Sequence, residues 1–271
     1  MDNLITLFQY DFIWRAVITG AFVAILCSVL GVFLVLRRLS LIGDGLSHVS
    51  FGAIALGLFL GVYPVYIAIP VVLLASMGIL ALSRKTRVYG DAAIGIVSAV
   101  GLASGVMLAS ISKGFNADLF SYLFGNILTI SSADMIQSII LSLVVLILIT
   151  LFYNDLFSVT FNEDHARVTG INVGAINTIL VGLTAISVVL SIRVVGIMLI
   201  SAFLILPPIT ALQISHGFRG VLIISAIISL IAVISGIFIS FVFNIPTGAT
   251  IVLANFILLL FSLLYRKIKS G

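Results

Sequence analysis

Apolar residues fall in long runs along this chain, broken by short polar stretches. Nine such runs stand out, at about 13–36, 41–60, 64–83, 91–112, 131–153, 173–192, 194–214, 220–242 and 247–265. A helix needs about 20 apolar residues to cross a hydrocarbon layer about 30 Å thick, and these runs meet that length. The pattern predicts an all-α, polytopic membrane protein with eight or nine transmembrane helices. The count depends on whether 173–192 and 194–214, separated by little except Arg193, are two spans or one. Composition agrees, with 62% hydrophobic residues, 8% charged residues and a mean hydropathy of +1.38. A soluble domain carries about 25% charged residues. One transmembrane domain over 1–271 accounts for the whole chain and excludes a hidden soluble enzyme domain.

The charges orient these spans. Threaded as nine crossings, the chain puts Arg37, Arg38, Arg84, Lys85, Arg87, Arg167, Arg219, Arg266, Lys267 and Lys269 on one side. Only Arg15, Lys113 and Arg193 fall on the other. The positive-inside rule makes the first side cytoplasmic, with the N-terminus outside and the C-terminus inside. The net charge of +4 is spread over short loops, so nucleic acid is not an expected partner. Met1-Asp2-Asn3 lacks the basic start of a cleaved signal, and the first span is expected to be kept. Cys27 is the single cysteine, which excludes an intramolecular disulfide and leaves soft-metal thiolate chemistry without its ligands. It is expected to be a small packed side chain.

Asp44 and His48 are the candidate metal residues. They lie four positions apart, on one face of a helix. His48 is ten residues beyond Arg38, which at 1.5 Å per residue is roughly 15 Å deep, near mid-membrane. A carboxylate there costs about 2.5–3.5 kcal/mol on insertion scales, so it must face protein or water. One carboxylate and one imidazole form a borderline set suited to Zn²⁺, Mn²⁺ or Fe²⁺. Two ligands hold an ion only weakly, as transport requires, and a two-fold dimer would supply a second pair. The residues alone also allow a structural pair, with Asp44 hydrogen-bonded to His48 and to Ser47 or Ser50. His165 and His216 fall in loops and read as surface residues. Asp91 and Asp134 read as helix N-terminal acids. Ser201, Thr210 and Gln213 are weaker polar candidates along the seventh run.

Two loops are longer than the rest. Residues 113–130 are too apolar for a free loop and too short to span, which predicts an interfacial helix over 117–127. Asn116 would be its N-cap, and Phe120, Tyr122 and Phe124 its membrane-surface anchors. The other loop, 154–172, contains Phe161-Asn-Glu-Asp-His-Ala-Arg-Val-Thr-Gly-Ile171. Asn162 is placed to cap a short helix, Glu163 and Asp164 sit in its first turn, and Gly170 closes it. Two turns of helix are not stable alone in water. The segment is either a docking helix for a cytoplasmic protein or a solvated loop lying on the membrane. Gly57/Gly61 and Gly101/Gly105 are small-xxx-small pairs that predict close helix packing. Pro207-Pro208 predicts a bend or break in the seventh run. No phosphate-binding glycine loop and no serine–histidine–acid set is present, so ATP hydrolysis by this chain is not expected.

These residues resemble the permease subunits of bacterial metal-uptake ABC transporters of the zinc/manganese/iron type, over nearly the whole chain. Arg37-Arg38-Leu-Ser-Leu-Ile-Gly-Asp44-Gly-Leu-Ser-His48 looks like the family's most distinctive segment, whose acid and histidine are implicated in metal passage. Asp91-Ala-Ala-Ile-Gly-Ile96 and Leu206-Pro-Pro-Ile-Thr-Ala211 are similar to two further family segments. Phe161 to Gly170 is similar to the coupling helix that docks into a groove of the ATPase, with Glu163, Asp164, Ala166, Arg167 and Gly170 as its coupling residues. The family often has Asp-Pro before the glutamate, whereas Asn162 stands there here. The resemblance implies a homodimeric permease in the bacterial cytoplasmic membrane, with an ATP-binding subunit below and an extracytoplasmic metal-binding protein above. It implies no permanent cofactor, the divalent ion being cargo. A proton-coupled secondary metal transporter and a membrane scaffold subunit are the competing readings.

Overall fold

A computed structural model describes residues 11–85, 90–112, 130–197 and 200–270. The expected interfacial helix at 117–127 lies outside these residues. Among the described residues every regular element is an α-helix. In chain order these are α1 Asp11–Leu36, α2 Ile42–Phe59, α3 Pro64–Lys85, α4 Gly90–Ile111, α5 Ser132–Leu151, α6 Tyr153–Phe161, α7 Glu163–Val168, α8 Val173–Val195, α9 Ile200–Ile214, α10 Phe218–Phe243 and α11 Thr247–Ser270. Eight of them, α1–α5, α8, α10 and α11, are long and apolar enough to cross a membrane. At 15 residues α9 is about 22 Å long, short of a full crossing.

Polar ties between distant segments sort the helix ends into two sets. At one end Arg15 donates to Ser132 at 3.4 Å, and Tyr63 donates to Asp134. At the other, Arg37 meets Glu163, Asn177 donates to Glu163 at 3.4 Å, and Arg266 donates to Gln213. With the short α9 counted between α8 and α10, successive membrane helices therefore alternate in direction. α8 begins and α9 finishes at the Arg37 end, so the two fold back on each other.

α1 is the central post, packed by α5, α8, α9 and α10. α2 lies against α4 and α3. Gly101 lets α2 and α4 approach closely, as its small-xxx-small spacing predicts. A Cβ there would stand 2.6 Å from the Val49 Cα. Gly57 does the same against α3, where a Cβ would stand 2.7 Å from the Pro64 Cα, but Gly61 acts differently from the expectation. Gly61 lies beyond the end of α2 at φ +68°, where its N–H reaches the Leu58 carbonyl and that of Val62 the Gly57 carbonyl. That is a Schellman closure, and a left-handed residue is what it needs. The prolines do not break their run. Pro207 and Pro208 lie inside a continuous α9, and the chain breaks earlier, at Gly196 with φ +85°. The Leu204 carbonyl, which Pro208 cannot bond, lies against Gly31 of α1, and the neighbouring helix accommodates the lost hydrogen bond.

Candidate functional site

α2 carries Asp44 in its first turn and His48 one turn further on. The His48 Nε2 lies 3.8 Å from an Asp44 carboxylate oxygen, so the i,i+4 pair meets on one face as the spacing predicts. Their side chains are 27% and 47% exposed, whereas every other residue from Ile42 to Ala55 is buried. Within the single chain this face therefore opens outward at the acid and the imidazole alone. The serines do not complete a structural pair. Ser47 donates to the Asp44 backbone carbonyl at 2.7 Å, and Ser50 to the Leu46 carbonyl at 2.9 Å. Both hydroxyls serve their own helix, and the carboxylate keeps its acceptor capacity. No group of three or more His, Cys, Asp or Glu able to hold a metal occurs among the described residues. The arrangement offers one carboxylate and one imidazole nitrogen, fewer donors than a stable divalent-ion site uses.

The other acids and polar candidates are engaged elsewhere. Asp134 forms a reciprocal capping box with Ser131, and Asp91 stands in the first turn of α4, both helix-start roles. Thr210 donates to the Leu206 carbonyl at 2.7 Å, and Gln213 accepts from Arg266. Cys27 is buried beside the Ser191 hydroxyl, 2.9 Å away, as a packed side chain. His165 and His216 are exposed.

The second constellation is α7. The Asn162 side chain accepts from the His165 N–H at 3.0 Å, the expected N-cap. Gly170, at φ +87°, and Ile171 donate to the Arg167 and Ala166 carbonyls, closing the helix as expected. Ala166 is fully buried against the bundle, while Asp164, Arg167 and Gly170 are exposed. Val168 is 86% exposed, an apolar side chain turned away from the bundle. Glu163 points the opposite way. Its carboxylate receives the Arg37 guanidinium, which is only 8% exposed, and the Asn177 amide. A cavity of about 610 Å³ adjoins this network, lined in part by Ser83, Arg167 and Asn172.

Arg37 is the residue of this network that sequence reasoning missed, since it read there only as a marker of the membrane surface. Its partner lies 126 positions away, beyond any local pattern. The chain turns sharply after it. Arg38 takes φ +57°, and the Leu39 N–H returns to the Leu34 carbonyl at 2.8 Å. A left-handed non-glycine residue costs roughly 1–2 kcal/mol. The turn directs Arg37 toward α7 and leads straight into the segment bearing Asp44.

Comparison with known proteins agrees with this geometry. A family model described as the ABC 3 transport family matches residues 9–266. The manganese transport system membrane protein MntC of Listeria monocytogenes is 33% identical over 265 residues, covering 98% of this chain and 94% of that protein. The high-affinity zinc uptake system membrane protein ZnuB of Haemophilus influenzae is 32% identical, covering 96% of this chain and 99% of its own. Among solved structures, PsaBC from Streptococcus pneumoniae in complex with Fab superposes with a TM-score of 0.87 at 33% identity, over 96% of this chain and 93% of that one. ATP hydrolysis in such transporters belongs to a separate subunit, consistent with a chain that carries no nucleotide motif. The chain belongs to the ABC 3 transport family, as the membrane-spanning permease of an ABC transporter.

Proposed function

We propose that this permease imports divalent transition metal ions, of the Mn²⁺, Zn²⁺ or Fe²⁺ kind, and that Asp44 and His48 bind the ion during passage. The observation that carries the reading is their position as the accessible groups on an otherwise buried face of α2. A carboxylate cannot be left facing hydrocarbon, so a second polar surface must complete that face. A second copy of the chain is that surface, and its own Asp44 and His48 would bring the ligands to four. The names of the manganese and zinc relatives favour the same cargo class. The Arg37 end then faces the cytoplasm, where α7 presents Asp164, Arg167 and Val168 to the ATP-binding subunit. An extracytoplasmic metal-binding protein delivers the ion at the Arg15 end. Rocking of the two copies would give alternating access.

The test is uptake of labelled Mn²⁺ and Zn²⁺ by cells whose only such transporter carries Asp44→Asn or His48→Ala. Both variants are expected to assemble with the ATPase subunit and to lose uptake to background. Normal uptake by both would remove these residues from the pathway.

A further inference from the structure

Away from α2, the bundle carries an apolar groove of about 520 Å³ between α1, α5 and α10. Leu146 and Ile149 of α5 and Leu222 and Ile223 of α10 form its walls, with Val29 of α1 behind. Seven residues separate Arg219, at its mouth, from Ala226, at its inner end, a depth of about 10 Å along α10. The mouth is polar. Tyr153, Asn154 and Arg219 line it, and the same three residues line an adjoining recess of about 460 Å³ at the start of α10. No acid lines either space.

Arg219 is exposed, and its guanidinium lies 5.9 Å from the Tyr153 ring centroid. Among the described residues it makes no ion pair with a carboxylate. The first turn of α10 beside it has no side-chain cap, and Gly217 to Gly220 of that turn line the same recess. A positive charge at the membrane surface, above a groove that runs into the apolar layer, complements an anion carrying a hydrocarbon chain. Basic pockets between transmembrane helices on the cytoplasmic side take acidic lipid headgroups for this reason. α5 and α10 pack on α1, not on α2, so the groove is separate from the Asp44 face.

We infer that this groove is a binding site for an anionic phospholipid, with the phosphate at Arg219 and Asn154 and one acyl chain between α5 and α10. The inference is independent of the transported ion. Its test is native mass spectrometry of the purified transporter, titrated with phosphatidylglycerol or with phosphatidylcholine. Wild type is expected to retain phosphatidylglycerol at least about fivefold over phosphatidylcholine, the ratio equivalent to roughly 1 kcal/mol for one arginine at an anionic surface. Arg219→Gln, a surface change, should bring the two lipids near parity. Ala226→Trp, which fills the inner end, should reduce retention of both. Equal phosphatidylglycerol retention by wild type and Arg219→Gln would overturn the site. So would competition by glycerol phosphate as effective as that of the intact lipid, since that anion has no chain. Loss of the dimer in Ala226→Trp with lipid retention unchanged would assign the groove to a second copy instead.

Discussion

Asp44 and Asp134 both stand in the first turn of a helix, and their contacts separate their roles. Asp134 accepts from the Ser131 N–H and hydroxyl and from Tyr63, so its carboxylate is spent on holding the start of α5. Among the described residues the Asp44 carboxylate has the His48 nitrogen as its one polar side-chain neighbour, at 3.8 Å. Replacing Asp134 by Ala should lower stability by about 0.5–2 kcal/mol, the usual range for a lost cap, and leave uptake by the folded protein intact. Asp44→Asn should change stability by less than about 0.5 kcal/mol and abolish uptake. Thermal melting in detergent, run beside the uptake assay, measures both; an Asp44→Asn variant that melts low and transports normally would reverse the assignment. Gly31 gives a purely structural counterpart. A Cβ there would lie 2.1 Å from the Leu204 carbonyl oxygen, a backbone atom that cannot swing aside. Gly31→Ala should therefore cost about 1–3 kcal/mol, and melting unchanged from wild type would show that α9 shifts freely. The acid–histidine pair was legible in the sequence because four-residue spacing alone puts two side chains on one helical face. The Gly31–Leu204 contact was not, because it joins α1 to α9 across more than half the chain.

At the scale of elements, α7 shows where local reading stops. Its start at Asn162 and its end at Gly170 follow from residues within one turn, and both were readable in order along the chain. What fixes it to the bundle is the Arg37–Glu163 pair, formed across 126 positions. The pairing ties the Glu163 carboxylate to the bundle while its side chain stays 43% exposed, and Asp164, Arg167 and Val168 are exposed on the same helix. Glu163→Lys would place a second cation against a nearly buried guanidinium and lift α7 from its seat. Co-purification with the ATPase subunit should fall, and Arg37→Glu alone should do the same. The double variant Arg37→Glu/Glu163→Lys restores opposite charges and should recover part of the loss, a coupling of about 0.5–3 kcal/mol for contacting residues. A double variant no better than the sum of the single losses would mean that the pair does not hold α7. The prolines teach a related lesson. Local chemistry says that Pro207 and Pro208 remove hydrogen bonds, but whether a helix yields there depends on its neighbour. Gly31 allows α1 to lie against the freed carbonyl, and α9 stays continuous.

For the molecule as a whole, the polar ties at the two ends give the bundle its alternation, and Asp44 and His48 open an otherwise buried stretch of α2. Hydropathy alone made the all-α membrane fold legible, since 62% hydrophobic residues in runs of span length permit little else. The count stayed between eight and nine because little except Arg193 separates the runs 173–192 and 194–214, and the structure makes the second a helix of only 15 residues. A second copy cannot be read from periodicity; the ligand count suggested it in the sequence, and the proposed function rests on it. Asp44 and His48 supply two ligands, no further cluster of His, Cys, Asp or Glu stands by among the described residues, and transition metals in such sites take four or more. A site shared across a two-fold axis would bind one ion for each pair of chains. Equilibrium dialysis of the purified transporter with Mn²⁺ or Zn²⁺, combined with its mass in solution, measures that ratio. The expected result is one ion per two chains, lost in Asp44→Asn and in His48→Ala alike. Each chain contributes half of the shell, so a mixed dimer of one wild-type and one Asp44→Asn chain should bind more weakly than wild type and more tightly than the double-variant dimer. One ion per chain, retained by a monomer, would show instead that ligands outside this pair complete the site within a single bundle.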